Sequence, residues 1–250
     1  MDPISAWTAA QITGALVVFA RVGTALMFLP GFGDVQVPGR LRLALGVIFS
    51  VVLLPVVPVV LPDRPVLLTA LIAREALIGL YIGAGARILF AALHSLGAII
   101  SFVTSLSSAL AAGNTHYEGA SAISQFLMIA AGALIFLTDS HHLMLRGLIY
   151  SYELLSPAWL PLGDLTGQIV QLAVKSLGTA VLLGAPFFVF GVIYNLGLGV
   201  ANRVMPALPV FFVAGPATIF LGLWLLWMSA EAILRHFADL YAAFFLTLMP

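Results

Sequence analysis

The sequence contains no cysteine, which rules out disulfides and thiolate metal sites. Charge is nearly as scarce. Asp, Glu, Lys and Arg make up 8% of the 250 residues, where a soluble domain carries about a quarter. Among the basic residues, Lys175 is the single lysine and the rest are arginine. That bias suits basic groups held in protein contacts by a planar fork of donors better than a solvated lysine-rich surface. Acidic and basic residues balance to a formal net charge of zero, so there is no basic footprint for nucleic acid and no acidic tail. The opening MDPISAW has an acid but no Lys or Arg ahead of the first apolar run. No cleavable leader is expected, and that run should stay as a membrane-associated helix.

What fills the space is apolar. Hydrophobic residues make up 62% of the chain, and the mean hydropathy is +1.14. Such a chain cannot cover a water-facing surface, so its solvent is lipid or partner protein. Apolar runs long enough for a bilayer, roughly 18 residues or more, fall near 7–29, 43–61, 66–93, 176–201 and 208–230, with a shorter one at 122–138. None alternates polar with apolar as barrel strands do. Only helices then satisfy the backbone in lipid. The expected fold is all-α, a polytopic helical membrane protein made of helical hairpins.

Several stretches fit simple spans poorly. His94, Ser101, Ser105 and Ser108 have helical spacing and should share one face. Gln168, Gln171 and Lys175 make a second stripe, and Glu231, Arg235 and Asp239 a third at i, i+4, i+8. His142, Arg146, Tyr150 and Glu153 make a fourth. Such stripes face water, a lumen or another subunit, or lie at the headgroups. A six-span reading leaves Arg40, Arg42 and Arg203 on one side against Arg64, Arg146, Lys175 and Arg235 on the other, too even for the positive-inside rule to orient. Proline and glycine punctuate the chain at 29–42 (LPGFGDVQVPGRLR), at Pro55, Pro58, Pro62 and Pro65, and at Pro186, which should kink its run. In GLYIGAGAR (79–87), small residues at 79, 83 and 85 permit close helix packing. This stretch lies inside an apolar helix with no preceding strand, so it is no dinucleotide loop.

Three constellations raise the question of chemistry. Asp139-Ser140-His141-His142 holds the residue types of a hydrolytic triad, but adjacent helical residues point about 100° apart. Adjacent histidines also chelate a metal poorly from a helix. Asp139 or Ser140 reads more simply as a helix cap. Arg21, Arg74, Glu75 and Arg87 lie inside apolar runs, where charge is normally paired or faces a cavity or partner. Arg74 and Glu75 also suit the interfacial end of a span with snorkelling side chains. The segment AAGNTHYEGASA (111–122) is the third. A Ser-lined helix is expected to end at Gly113, and the residues from Asn114 to Gly119 fit both a simple hairpin connector and a functional loop. No catalytic residue, metal or cofactor is expected.

Taken in order, four blocks resemble the FliR/SpaR family of type III export-gate proteins, on its flagellar branch. They are FARVGTALMFLPGFGDVQVPGRLRLALG (19–46), REALIGLYIGAG (74–85), FLTDSHHLMLRGLIYSYELLSPAWLPLG (136–163) and NLGLGVANRVMPALPVFFVAGPATIFLGL (195–223). The last, with its N-L-G-L-G, Arg, M-P and F-F-V-x-G-P elements, is the most specific. Together they cover nearly the whole chain, residues 1–250, as one export-gate membrane domain.

The resemblance implies a structural subunit of the flagellar export gate in the bacterial inner membrane, within the flagellar basal body. Its implied partners are FliP-type and FliQ-type subunits, other membrane proteins of the export apparatus, unfolded export substrates and lipid, with no nucleic acid. It further implies that Ala111, Ala112, Gly113, Asn114, Thr115, His116, Tyr117, Glu118 and Gly119 enter the lumen and contribute to a plug, although GNTHYEG departs from the Asp-Pro-type sequence of many relatives. The His94–Ser108 stripe would face lumen or subunit, and Arg21, Arg74 and Glu75 would serve assembly. Rival readings are an injectisome subunit of the same family, a small-solute secondary transporter, which would need a midplane ionisable site and internal repeats, and a membrane hydrolase using Asp139, Ser140 and a histidine.

Overall fold

The computed structural model describes residues 3–34, 37–106, 122–155, 162–205 and 210–249. Among these residues there are seven α-helices and no strand: α1 Pro3–Phe28, α2 Gly39–Leu53, α3 Pro65–Val103, α4 Ala122–Leu137, α5 Ser140–Leu154, α6 Leu162–Val204 and α7 Val210–Leu246. The all-α membrane fold read from the sequence is the fold observed.

Among the described residues, four helices are long and apolar enough to cross a bilayer: Trp7–Phe28, Pro65–Val103, Leu162–Val204 and Ala214–Leu246. The pair α4 and α5, bent by 75° at its break, makes a fifth if it counts as one broken span. Six simple spans are therefore not found among the described residues. The run at 43–61 fails because α2 stops at Leu53 after 15 residues, roughly 22 Å of helix against a hydrocarbon core of about 30 Å. Pro55 cannot donate an amide to continue the ladder, and the chain turns instead, Val56 and Val57 both donating to the Leu53 carbonyl. The opposite departure occurs in α3, α6 and α7, of 39, 43 and 37 residues. At about 1.5 Å per residue each exceeds 50 Å, far more than a simple span needs. Hydropathy marks only the apolar part of each; polar residues such as Glu231 and Arg235 continue the same helix. Pro186 lies inside α6, which runs through it.

The helices contribute to two compact units, the first Met1–Ile88, Ile135–Leu172 and Leu240–Pro250, the second Leu89–Leu134 and Ala173–Asp239. In the first unit, Val18, Val22, Ala25 and Leu26 form the buried stripe of α1 at helical spacing, and Leu29 is buried just past its end. Gly79 and Gly83 bring α3 against it. A Cβ at Gly79 would fall on Thr24 Oγ1 and the Arg21 carbonyl, and one at Gly83 on Phe28 Cβ and the Ala25 carbonyl. The four-residue glycine spacing thus marks a close helix contact. Gly85 meets the Phe244 ring, and Gly147 of α5 meets Phe245.

In the second unit, Gly97 of α3 abuts the backbone of Ser124, and the Ser124 hydroxyl donates to the His94 carbonyl at 2.8 Å. Phe90 and Phe237 meet edge to face, centroids 5.0 Å apart, and the Tyr194 hydroxyl donates to the Ala214 carbonyl at 2.6 Å. Helix α6 remains apolar and exposed on successive faces here, with Val174, Leu177, Val181, Leu182 and Val192 all uncovered. A helix apolar all round is covered by lipid or by another chain.

Candidate functional site

The largest fully buried side chain among the described residues is that of Arg21, enclosed in the middle of α1. An unpaired guanidinium there would be costly, and every edge of this one is used. Nε donates to Glu75 Oε2 at 2.5 Å, Nη1 to Ser151 Oγ at 3.1 Å, and Nη2 to the Leu155 carbonyl at 3.1 Å. The Tyr152 ring lies under the guanidinium, 3.8 Å from Cζ to centroid, within cation–π range. The Ser151 hydroxyl in turn donates to the Leu148 carbonyl at 2.6 Å. One arginine on α1 thereby fastens α3 through Glu75 and α5 through Ser151, Tyr152 and Leu155. Charge is balanced inside, and each guanidinium nitrogen has a partner. The junction is built to hold three helices in register.

Glu75 and Arg74 part company here. Glu75 is buried against Arg21, while Arg74 is exposed, as neighbours about 100° apart on a helix must be. Both line a half-open groove of about 400 Å³ whose other walls include Val17, Pro58, Pro62 and Leu67.

A second polar cluster fastens the loop after α1. Gly31 takes φ +84°, open to glycine at little cost, and its amide donates to Asp34 Oδ2 at 2.9 Å. Arg42 Nε donates to the Val37 carbonyl at 3.1 Å, and Arg87 stands 3.8 Å from the Asp34 carboxylate. Gly33 sits where a Cβ would strike the Met27 carbonyl. The P-G-F-G-D and R-x-R elements are therefore one device, a tight turn with its carbonyls and carboxylate held by arginine.

Of the His94–Ser108 stripe, His94, Ser101 and Ser105 lie among the described residues. Helix α3 ends at Val103, and Ser105 follows in a left-handed conformation, φ 57°, so it does not continue the helical face. Ser101 is buried inside its own unit, its hydroxyl without a hydrogen-bond partner; His94 is half-buried. Ser108 and the whole of Ala111–Gly119 lie outside the described residues. The helix end expected at Gly113 also lies outside the described residues. By contrast Gln168, Gln171 and Lys175 are exposed, as are Glu231, Arg235 and Asp239, with Arg235 paired to Glu231.

At the bend between α4 and α5, Asp139 takes the N-cap position but makes no side-chain cap bond. The Ser140 hydroxyl lies 2.8 Å from Thr138 Oγ1, away from the role of a histidine-activated nucleophile. Yet Asp139, His141 and His142 bring ligand atoms within 4.8 Å of one another.

Sequence reading missed Ser151 and Tyr152 as partners of Arg21, and Asp34 and Arg42 as loop fasteners. A signal for the first two existed: Met144, Leu148, Ser151 and Tyr152 are buried at spacings of four, three and one, the face opposite the polar stripe.

Comparison with known proteins bears on all of these segments. Residues 12–244 match the family described as bacterial export proteins, family 1. The chain is 37% identical over 239 residues to the flagellar biosynthetic protein FliR of Caulobacter vibrioides, covering 94% of this chain and 95% of that one. It is 28% identical to the protein of that name in Bacillus subtilis, over 82% and 81% of the two chains, and 27% identical to that of Escherichia coli, over 84% and 80%.

Proposed function

The chain belongs to family 1 of the bacterial export proteins as a membrane component of flagellar protein export, and on that premise we propose that it is a structural subunit of the type III export gate. In this reading residues 1–250 act as one gate domain in the bacterial inner membrane, at the flagellar basal body. The chain assembles with FliP-type and FliQ-type subunits around a path for unfolded flagellar substrates, and residues 111–119 help to plug that path at rest. It performs no catalysis of its own. Energy comes from elsewhere in the apparatus, in keeping with a sequence that has no nucleotide-binding loop.

The observation that carries the reading is the likeness to the Caulobacter protein along nearly the full length of both chains. The fold supports it in a second way. A 43-residue helix with apolar side chains uncovered on successive faces needs more cover than this chain supplies, and partner helices in a bundle provide it. Arg21 and Glu75, which could have been inter-subunit anchors, act within the chain; Arg74 is the member of that trio exposed for assembly.

Solubilising the chain from its own membranes in mild detergent tests this. FliP-type and FliQ-type chains should accompany it through affinity and size-exclusion steps. A monodisperse monomer that moves a small solute across vesicles would replace the gate by a transporter.

A further inference from the structure

Asp139, His141 and His142 stand apart from the Arg21 junction, at the 75° bend between α4 and α5. Asp139 is not helical: φ 56° and ψ 16° put it in the left-handed region, which aspartate tolerates better than most residues. That conformation brings its carboxylate over the first turn of α5, with Oδ1 3.8 Å from His142 Nδ1. The carboxylate caps no amide there. The His141 ring is held between Phe136 and His142, at centroid distances of 5.3 and 4.2 Å, and its Nδ1 is buried without a hydrogen-bond partner. A carboxylate that does not cap its helix, an imidazole nitrogen with no partner and a second imidazole stacked on the first thus converge, their ligand atoms within 4.8 Å.

We propose that these three residues bind a divalent transition metal of the zinc class. Two imidazoles and one carboxylate are a donor set suited to zinc, with a further position left for water or a neighbouring chain. Calcium and magnesium favour all-oxygen shells. Zinc bonds of about 2.0–2.2 Å would set the ligand atoms roughly 3.4 Å apart, so the donors need to close by only a little. The Asp139 and His142 side chains are 78% and 59% exposed and have the freedom to do so. Bound metal would clip the last residues of the bend to the first turn of α5, a structural role that needs no catalysis.

The test uses the full-length chain without a histidine tag, purified in detergent, stripped with chelator, loaded with zinc chloride and gel-filtered before its metal content is measured. The wild-type chain should retain close to one zinc ion per molecule. Asp139→Asn and His142→Gln should each weaken binding at least as much as the 10- to 100-fold that loss of a mere outer-shell partner costs, and His236→Gln should not. In the unaltered protein, zinc should also shield His141 and His142 from acylation by diethyl pyrocarbonate. Wild-type zinc content no higher than that of the Asp139→Asn/His142→Gln double variant, or equal acylation with and without zinc, would overturn the proposal.

Discussion

Arg21 and Glu75 lie 54 residues apart in the chain, yet their side chains meet with 0% and 4% of their surface exposed. A pair so enclosed is worth little against well-packed apolar residues of the same size, but removing one partner strands the other. The arrangement therefore says more about which helices belong together than about raw stability. It links α1, α3 and α5 by groups that no lipid-facing position would satisfy.

Breaking the pair from one side should be severe. Arg21→Met or Glu75→Ala alone should cost about 3–5 kcal/mol, read as a lowered unfolding midpoint of the purified chain in detergent. The double variant Arg21→Met/Glu75→Leu should recover much of that loss. Arg74→Ala should change the same midpoint by less than about 1 kcal/mol, while reducing the neighbouring subunits recovered with the chain. Single variants that unfold at the wild-type midpoint would remove the junction from the account.

Glycine positions supply an internal contrast. At Gly79 a Cβ would collide with Thr24 and the Arg21 carbonyl, whereas at Gly132 it would meet nothing within 4 Å. Gly79→Ala should destabilise the detergent-solubilised chain by about 1–3 kcal/mol through overpacking. Gly132→Ala should leave it unchanged or raise its stability by up to about 1 kcal/mol through helix propensity. Equal effects at the two sites would mean that α1 and α3 do not approach each other as described.

Much of this was legible in the sequence, because membrane helices must be apolar and satisfy their own backbone. The helical class, the close packing at Gly79 and Gly83 and the need for Arg21 to find a partner all follow from residue type and spacing. Helix ends were not legible. Hydropathy cannot tell a helix that stops at Pro55 from one that crosses, nor see that α7 continues through Glu231 and Arg235. The partner of Arg21 was hidden for a related reason: Glu75 sits beside Arg74, and the adjacent pair suggests an interfacial end unless the burial of one member is known. Asp139 misled because it holds the N-cap position without making a cap bond, its carboxylate standing beside His142 instead.

The segment Asn114–Glu118 carries the gating part of the proposal. Gly113 and Gly119 bracket it in the sequence, and a resting pore must be occluded if ion gradients are to survive. Replacing Asn114–Glu118 by a short Gly-Ser linker should leave the assembled complex intact and raise its conductance to ions in planar bilayers. Wild-type conductance in a correctly assembled complex would make the segment a plain connector.

The central claim, that this chain is a structural subunit of the flagellar export gate, is tested most directly by secretion. In a strain lacking the gene, flagellar hook and filament proteins should be made but be absent from the culture medium. The wild-type gene should restore their export, and a gene carrying Glu75→Ala should not, for want of a correctly assembled gate. Hook and filament proteins reaching the medium at wild-type levels in the deletion strain would contradict the account.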